Sequence, residues 1–132
     1  MDYSHYRHLT FQPRPNGVLL VTINRPEVLN AANARLHWEF GQVWLTVDAD
    51  PATRVVVVTG AGKAFSAGGD LSLVEDMAGN PEALTRTMRE ASGLVYNMIN
   101  LDKPVVSAIN GVAVGAGLVV GLMADVSIIA ET

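Results

Sequence analysis

Lys63-Ala64-Phe65-Ser66-Ala67-Gly68-Gly69-Asp70-Leu71 follows the apolar run Val55-Val56-Val57-Val58-Thr59 and the loop Gly60-Ala61-Gly62. A β-branched run that passes through consecutive glycines into Asp-Leu-Ser reads as strand, sharp turn and helix start, with backbone N–H groups left facing outward. Such a turn can hold an anion. The same grammar returns downstream: Pro104-Val105-Val106-Ser107-Ala108-Ile109 is a buried-strand pattern, Asn110-Gly111 a turn, and Gly115-Ala116-Gly117 opens the apolar helix at residues 118–124. If the two glycine turns meet in space, two backbone N–H groups can bind one carbonyl oxygen as negative charge develops on it, which is an oxyanion hole.

Working outward, residues 9–12 and 18–24 are short apolar or β-branched runs separated by Pro13-Arg14-Pro15-Asn16-Gly17, and read as a β-hairpin with a longer loop. Pro26 breaks the chain after the second strand. Over residues 31–48 the positions Leu36, Phe40, Val43 and Val47 form one buried helical stripe, with Asn30 or Asn33 as the cap. Asp70 caps a short helix over residues 71–77. Asn80-Pro81-Glu82 starts a longer one, running to about residue 100, with Leu84, Met88, Ala91, Val95 and Met98 along one face. A final apolar run covers residues 126–130. Helices and strands interleave without segregating, which is an α/β class in one domain, with no linker or low-complexity stretch.

The 132 residues are 49% hydrophobic and 17% charged, a globular balance. A net charge of −4 without a basic run speaks against a nucleic-acid partner. The absence of cysteine excludes disulfides and thiolate metal sites and is compatible with a reducing cytoplasm, the expected location. The N-terminal MDYSHYRHLTF has no apolar core of signal-peptide length. The apolar run at residues 105–124 is long enough for a bilayer and carries small-xxx-small spacings, but Asn110-Gly111 interrupts it and its flanking charges show no positive-inside bias, so no membrane partner is expected.

The motifs KAFSAGGDL and KPVVSAINGVAVGAGL, preceded by NGVLLVTINRPEVLNAAN, together resemble the crotonase, or enoyl-CoA hydratase/isomerase, family over nearly the whole chain. The resemblance implies a spiral of ββα units, incomplete at the C-terminus, with residues 1–132 forming the N-terminal portion of one such domain. It implies that the backbone N–H groups of Gly69 and Ala116 bind a thioester oxygen. It places Val28, Leu29, Ala67, Gly68, Asp70 and Leu71 around the adenine and pantetheine of coenzyme A, which enters as part of an acyl-CoA substrate, with no other cofactor and no metal. Lys63 and Arg25 are candidate phosphate partners, whereas Glu27 sits where many relatives are basic. The implied partners are an acyl-CoA thioester and further copies of the chain, in a trimer or hexamer at full length.

The sequence departs from the family pattern at the acid/base positions. Typical hydratases carry a glutamate where this chain has Val119, and a second about twenty residues further on, beyond Thr132. Hydration needs a group to activate water and another to protonate the α-carbon. Val119 therefore fits a one-carboxylate reaction, such as double-bond isomerisation, better than hydration. The alternative is a truncated, catalytically silent acyl-CoA-binding fragment or interaction module. Glu75 and Asp76, on the short helix after the first turn, read as a solvated face rather than substitutes.

Other motif matches fail. Gly60-Ala61-Gly62-Lys63 lacks the earlier glycine and the hydroxyl of a P-loop. Gly115-Ala116-Gly117 with Gly121 is one residue too long for the dinucleotide fingerprint. His5 and His8 have no further ligands nearby, and His37, on the helix that carries Trp38 and Trp44, reads as partly exposed.

Overall fold

β1 (Leu9–Arg14) and β2 (Val18–Ile23) pair antiparallel, in a register that runs from Leu9 opposite Ile23 to Arg14 opposite Val18. This is the computed structural model of the chain, and it describes residues 1–131. The first strand runs two residues beyond the expected end, through Pro13 and Arg14, because it is the sheet's edge, where a residue without an N–H is tolerated. A 3-10 turn over Pro15–Gly17, with Asn16 and Gly17 at φ 65° and 79°, reverses the chain.

Every later pairing is parallel: β3 (Val55–Gly60) on β2, β4 (Val105–Ile109) on β3, and β5 (Val126–Ile129) on β4, in the order β1-β2-β3-β4-β5. Parallel neighbours need long crossovers. These carry α1 (Ala34–Asp48), α2 (Leu71–Met77) with α3 (Pro81–Ile99), and α4 (Ala116–Leu122). Leu19, Val21 and Ile23 on β2 and Val56 and Val58 on β3 alternate into the core, where they meet Leu36, Phe40, Val43, Trp44 and Val47 of α1. Each side chain of that size stabilises the fold by roughly 1.5–3 kcal/mol on burial.

Between strand and helix, each crossover also makes a one-residue parallel bridge: Ala32 with Gly69, and Ser66 with Ala113. The repeating unit is thus strand, bridge, helix, with the bridges outside the main sheet. Residues 30–32 are spent on the first bridge, with Asn30 left-handed at φ 56°, so α1 starts at Ala34 rather than at 31. Its cap is Asn33, whose Oδ1 accepts the Leu36 N–H at 2.8 Å.

Two expectations for helical faces are corrected. On α3 the buried residues are Ala83, Thr87, Leu94 and Met98, whereas Leu84, Met88 and Val95 are exposed. His37 is buried, not partly exposed, and its Nδ1 lies 3.1 Å from Glu90 Oε1 across the α1–α3 contact. Asn97 Nδ2 donates to Gly41 O at 2.9 Å in the same seam. These polar links turn α3 about one residue away from its most apolar stripe.

Candidate active site

The two glycine turns touch. Gly68 O accepts the Ala32 N–H at 2.6 Å, and the Asp70 N–H donates to Ala32 O at 2.9 Å. A parallel bridge leaves the central residue's own amide on the opposite side. The Gly69 N–H therefore points away from Ala32, and it has no acceptor among the described residues. In the second turn, the Ser66 N–H donates to Val112 O at 3.0 Å and the Val114 N–H to Ser66 O at 2.9 Å. Gly115 then takes φ 57°, ψ −129°, a conformation that side chains disfavour, and α4 opens without a side-chain cap. The Gly117 and Leu118 N–H groups both turn to Val114 O, while that of Ala116 has no acceptor among the described residues. A Cβ built on Gly115 would stand 3.5 Å from Gly68 Cα and 4.0 Å from Gly69 N. The two unbonded amides thus flank one line of contact.

Buried side chains fix the first turn from behind. Phe65 is fully enclosed and anchors the segment. Asn30 accepts the Arg25 N–H at 2.7 Å on Oδ1, and its Nδ2 lies 2.9 Å from both Ala61 O and Ala64 O. Its carbonyl accepts Ser66 Oγ–H at 2.7 Å. From the other side, Asn110 Nδ2 donates to Gly60 O at 2.9 Å and Gly62 O at 3.0 Å. The strict need for glycine lies at 68, where φ is 89°. At Gly69 a Cβ would meet only Leu73 Cδ2, at an ordinary 3.5 Å, so close approach by the chain itself does not require glycine there.

The family model described as enoyl-CoA hydratase/isomerase matches residues 13–132. The chain belongs to the enoyl-CoA hydratase/isomerase family. It is 39% identical over 124 residues to the mevalonyl-coenzyme A hydratase SIDH of Beauveria bassiana, a match spanning 89% of this chain and 44% of that protein. It is 37% identical over 118 residues to the 1,2-epoxyphenylacetyl-CoA isomerase of Escherichia coli, spanning 88% and 45%. The crystal structure of an enoyl-CoA hydratase/isomerase from Mycobacterium paratuberculosis superposes with a TM-score of 0.90 at 34% identity, over 95% of this chain and 50% of that one. The chain spans about half the length of the relatives it matches.

The family's positions around the turns fall as follows. Leu29 and Ala67 are joined through the Ala67 N–H and Leu29 O at 3.0 Å, which brings residues 28 and 29 against residues 67–70. Val28, Leu29 and Leu71 are exposed at 40%, 43% and 71%, an apolar rim beside the turns. The Asp70 carboxylate is already committed. Oδ1 accepts the Leu73 N–H at 3.0 Å, capping α2, and the Ser72 hydroxyl; Oδ2 lies 3.2 Å from Arg25 Nη1. Burial alone would raise its pKa, but the Ser72 hydroxyl, the Leu73 amide and Arg25 outweigh it and hold the carboxyl below its ordinary 3.8. Arg25, a candidate phosphate partner, is thus ion-paired inside the fold. Lys63 stays exposed, as do Glu75 and Asp76. Val119 sits half-buried on α4 against the core.

Three features were not foreseen from the sequence: the Arg25–Asp70 pair, the Asn30 clamp and Glu39. Glu39 is fully buried, accepting the Arg7 and His8 N–H groups at 2.7 and 3.0 Å and Arg35 Nε at 2.7 Å, and it fastens the N-terminal segment to α1. A glutamate on the face next to Leu36 and Phe40 was its one visible signal. A groove of about 770 Å³ lies elsewhere, between α1 and α3 and lined by Trp38, Arg86 and Arg89, and none of its residues belongs to the glycine turns. Among the described residues, no three His, Asp or Glu side chains gather as a metal site, and no helix is long and apolar enough to cross a membrane.

Proposed function

We propose that the chain provides the carbonyl-binding part of an enoyl-CoA hydratase/isomerase, with the Gly69 and Ala116 N–H groups donating to one acyl-CoA thioester oxygen. The observation that carries this is the pair of unbonded amides on touching turns. Removing the α-proton of an acyl thioester puts negative charge on that oxygen, and two fixed donors stabilise the enolate more than the neutral ester. Losing one donor of this kind typically costs roughly 10²–10³ in rate. We assign Val28, Leu29, Ala67, Gly68, Asp70 and Leu71 to the coenzyme A contact. Their support is the apolar rim and the backbone link between Leu29 and Ala67. For Asp70 the contact is through the backbone, since its carboxylate is engaged.

Val119 carries no proton, so the reading favours double-bond isomerisation, in which one base can move a proton from the α- to the γ-carbon or back, over hydration. We also infer that the full-length protein self-associates, as the family resemblance implies. The test is calorimetric titration with crotonyl-CoA and with free CoA, followed by turnover of crotonyl-CoA and a 3-enoyl-CoA. Acyl-CoA binding that exceeds CoA binding is expected. No affinity for any acyl-CoA would sink the assignment, and turnover by the chain would exclude a silent module.

A further inference from the structure

We propose that Arg25 is a positioning residue that fixes the direction of the Gly69 N–H, a role that rests on the acyl-CoA reading above. Among the described residues Gly69 makes no backbone bond of its own: its neighbours hold it, through Gly68 O and the Asp70 N–H, both to Ala32, and it follows a glycine at φ 89°. Arg25 grips both sides of that bridge. Its Nη1 donates to Ala31 O, one residue before Ala32, and to Asp70 Oδ2 at 3.2 Å, one residue after Gly69. The Gly68–Gly69 peptide, which carries the Gly69 N–H, is thus held at Gly68 O by the Ala32 N–H, and the residue that follows it, Asp70, by the charged tether.

The carboxylate of Asp70 divides its work. Oδ1 starts α2 through the Leu73 N–H, whereas the partner of Oδ2 among the described residues is Arg25. Arg25 is itself placed from behind, since its N–H donates to the buried Asn30. The guanidinium side chain is 14% exposed, and its Nε is buried without an acceptor among the described residues. An ion pair withdrawn from water with an orphaned donor is poorly suited to stabilising a fold, since an apolar pair of like volume often does as well. What the pair supplies is orientation, and the atom it orients is the amide between its two anchors. A misplacement of about 1 Å at such a donor costs on the order of 10²-fold in rate.

The experiment compares the wild-type chain with Arg25→Met and Arg25→Lys. In the ligand-free chain, Arg25→Met is expected to speed amide hydrogen exchange at Ala32 and Asp70 about tenfold or more while the β3 amides stay unchanged, a local opening. With crotonyl-CoA labelled at the carbonyl carbon, the infrared C=O stretch of the bound wild-type complex is expected to move to lower wavenumber. Arg25→Met should lose about half or more of that movement with affinity within about threefold, because the lost term is polarisation rather than uniform binding. Arg25→Lys should fall between the two. Unchanged exchange at Ala32 and Asp70, or an equal C=O shift in Arg25→Met, overturns the positioning role. A wild-type chain that binds acyl-CoA without moving the C=O stretch overturns the oxyanion reading instead, and the exchange data then still report whether the tether holds the turn.

Discussion

Gly117 lies against Ser66 so closely that a Cβ at residue 117 would stand 2.3 Å from Ser66 Cβ and 2.9 Å from Ser66 O. Neither atom is the loose end of a long side chain, so only a shift of α4 relieves the clash. The first turn of α4 carries Ala116, and Ser66 lies three residues before Gly69, so this contact sets the spacing of the two free amides. Gly117→Ala should destabilise the fold by about 1–3 kcal/mol, as overpacking does. Thioester turnover should fall by about 10²-fold if α4 moves by 1 Å. The control is Gly93→Ala on α3, where a Cβ meets nothing within 4 Å. There, urea denaturation should show stabilisation by about 0.5–1 kcal/mol.

Asn30 joins two loops through one side chain, binding the Arg25 N–H in its own loop and Ala61 O and Ala64 O in the loop after β3. Removing the amide leaves the Arg25 N–H and Ala61 O without this partner, whereas Ala64 O keeps Asn110 Nδ2 at 3.3 Å, and each buried group left unpaired costs about 1–3 kcal/mol. Asn30→Ala should therefore be among the most destabilising substitutions in the chain. A midpoint in denaturant within error of wild type would show that the clamp is not needed.

The two apolar stripes of α3 make opposite predictions. Leu94→Ala should cost about 2–5 kcal/mol, as truncations of buried leucines do. Leu84→Ser and Met88→Ser, at exposed positions, should each stay within about 0.5 kcal/mol. Equal losses at Leu84 and Leu94 would mean that the helix is rotated toward the stripe that its hydrophobicity favours.

That helix also marks where sequence reasoning stops. Strands, caps and the body of α1 were legible because each is decided locally: valine runs at β3, Asp70 and Asn80 as caps, Asn33 as one of two candidates, and the Leu36–Phe40–Val43–Val47 stripe. The repeated pattern of strand, turn and helix marked both glycine turns, but their contact was a condition of that reading and is supplied by the structure. The face of α3 was decided by partners distant in sequence, His37 to Glu90 and Gly41 to Asn97, whose pairing no periodicity reveals. Arg25 was read as a phosphate partner, and Asp70 was rightly read as a cap, but their pairing across 45 positions was missed for the same reason. Glu39 offered only a polar residue on an apolar helix, and the N–H groups that neutralise it lie in a segment without regular structure.

Acid should release one more constraint. Burial alone would raise the Asp50 pKa, but hydrogen bonds from the Tyr3 hydroxyl at 2.6 Å, the Thr53 hydroxyl and the Ala52 amide outweigh it and hold the carboxyl below its ordinary 3.8. A depressed folded-state pKa contributes stability above the unfolded value, lost as pH falls through the folded one. Asp50→Asn should therefore be less stable than wild type at pH 7, and the gap should narrow as pH drops below about 3.8. A gap independent of pH would show that the charge on Asp50 contributes nothing.

The central claim is that two backbone amides converge on one thioester oxygen. Its most direct test is a titration of the ¹⁵N-labelled chain with crotonyl-CoA, observed by NMR. We predict that the Gly69 and Ala116 amide protons move downfield together, with one dissociation constant, and that free CoA leaves both in place. Movement of only one of them, or equal movement with free CoA, would contradict the account.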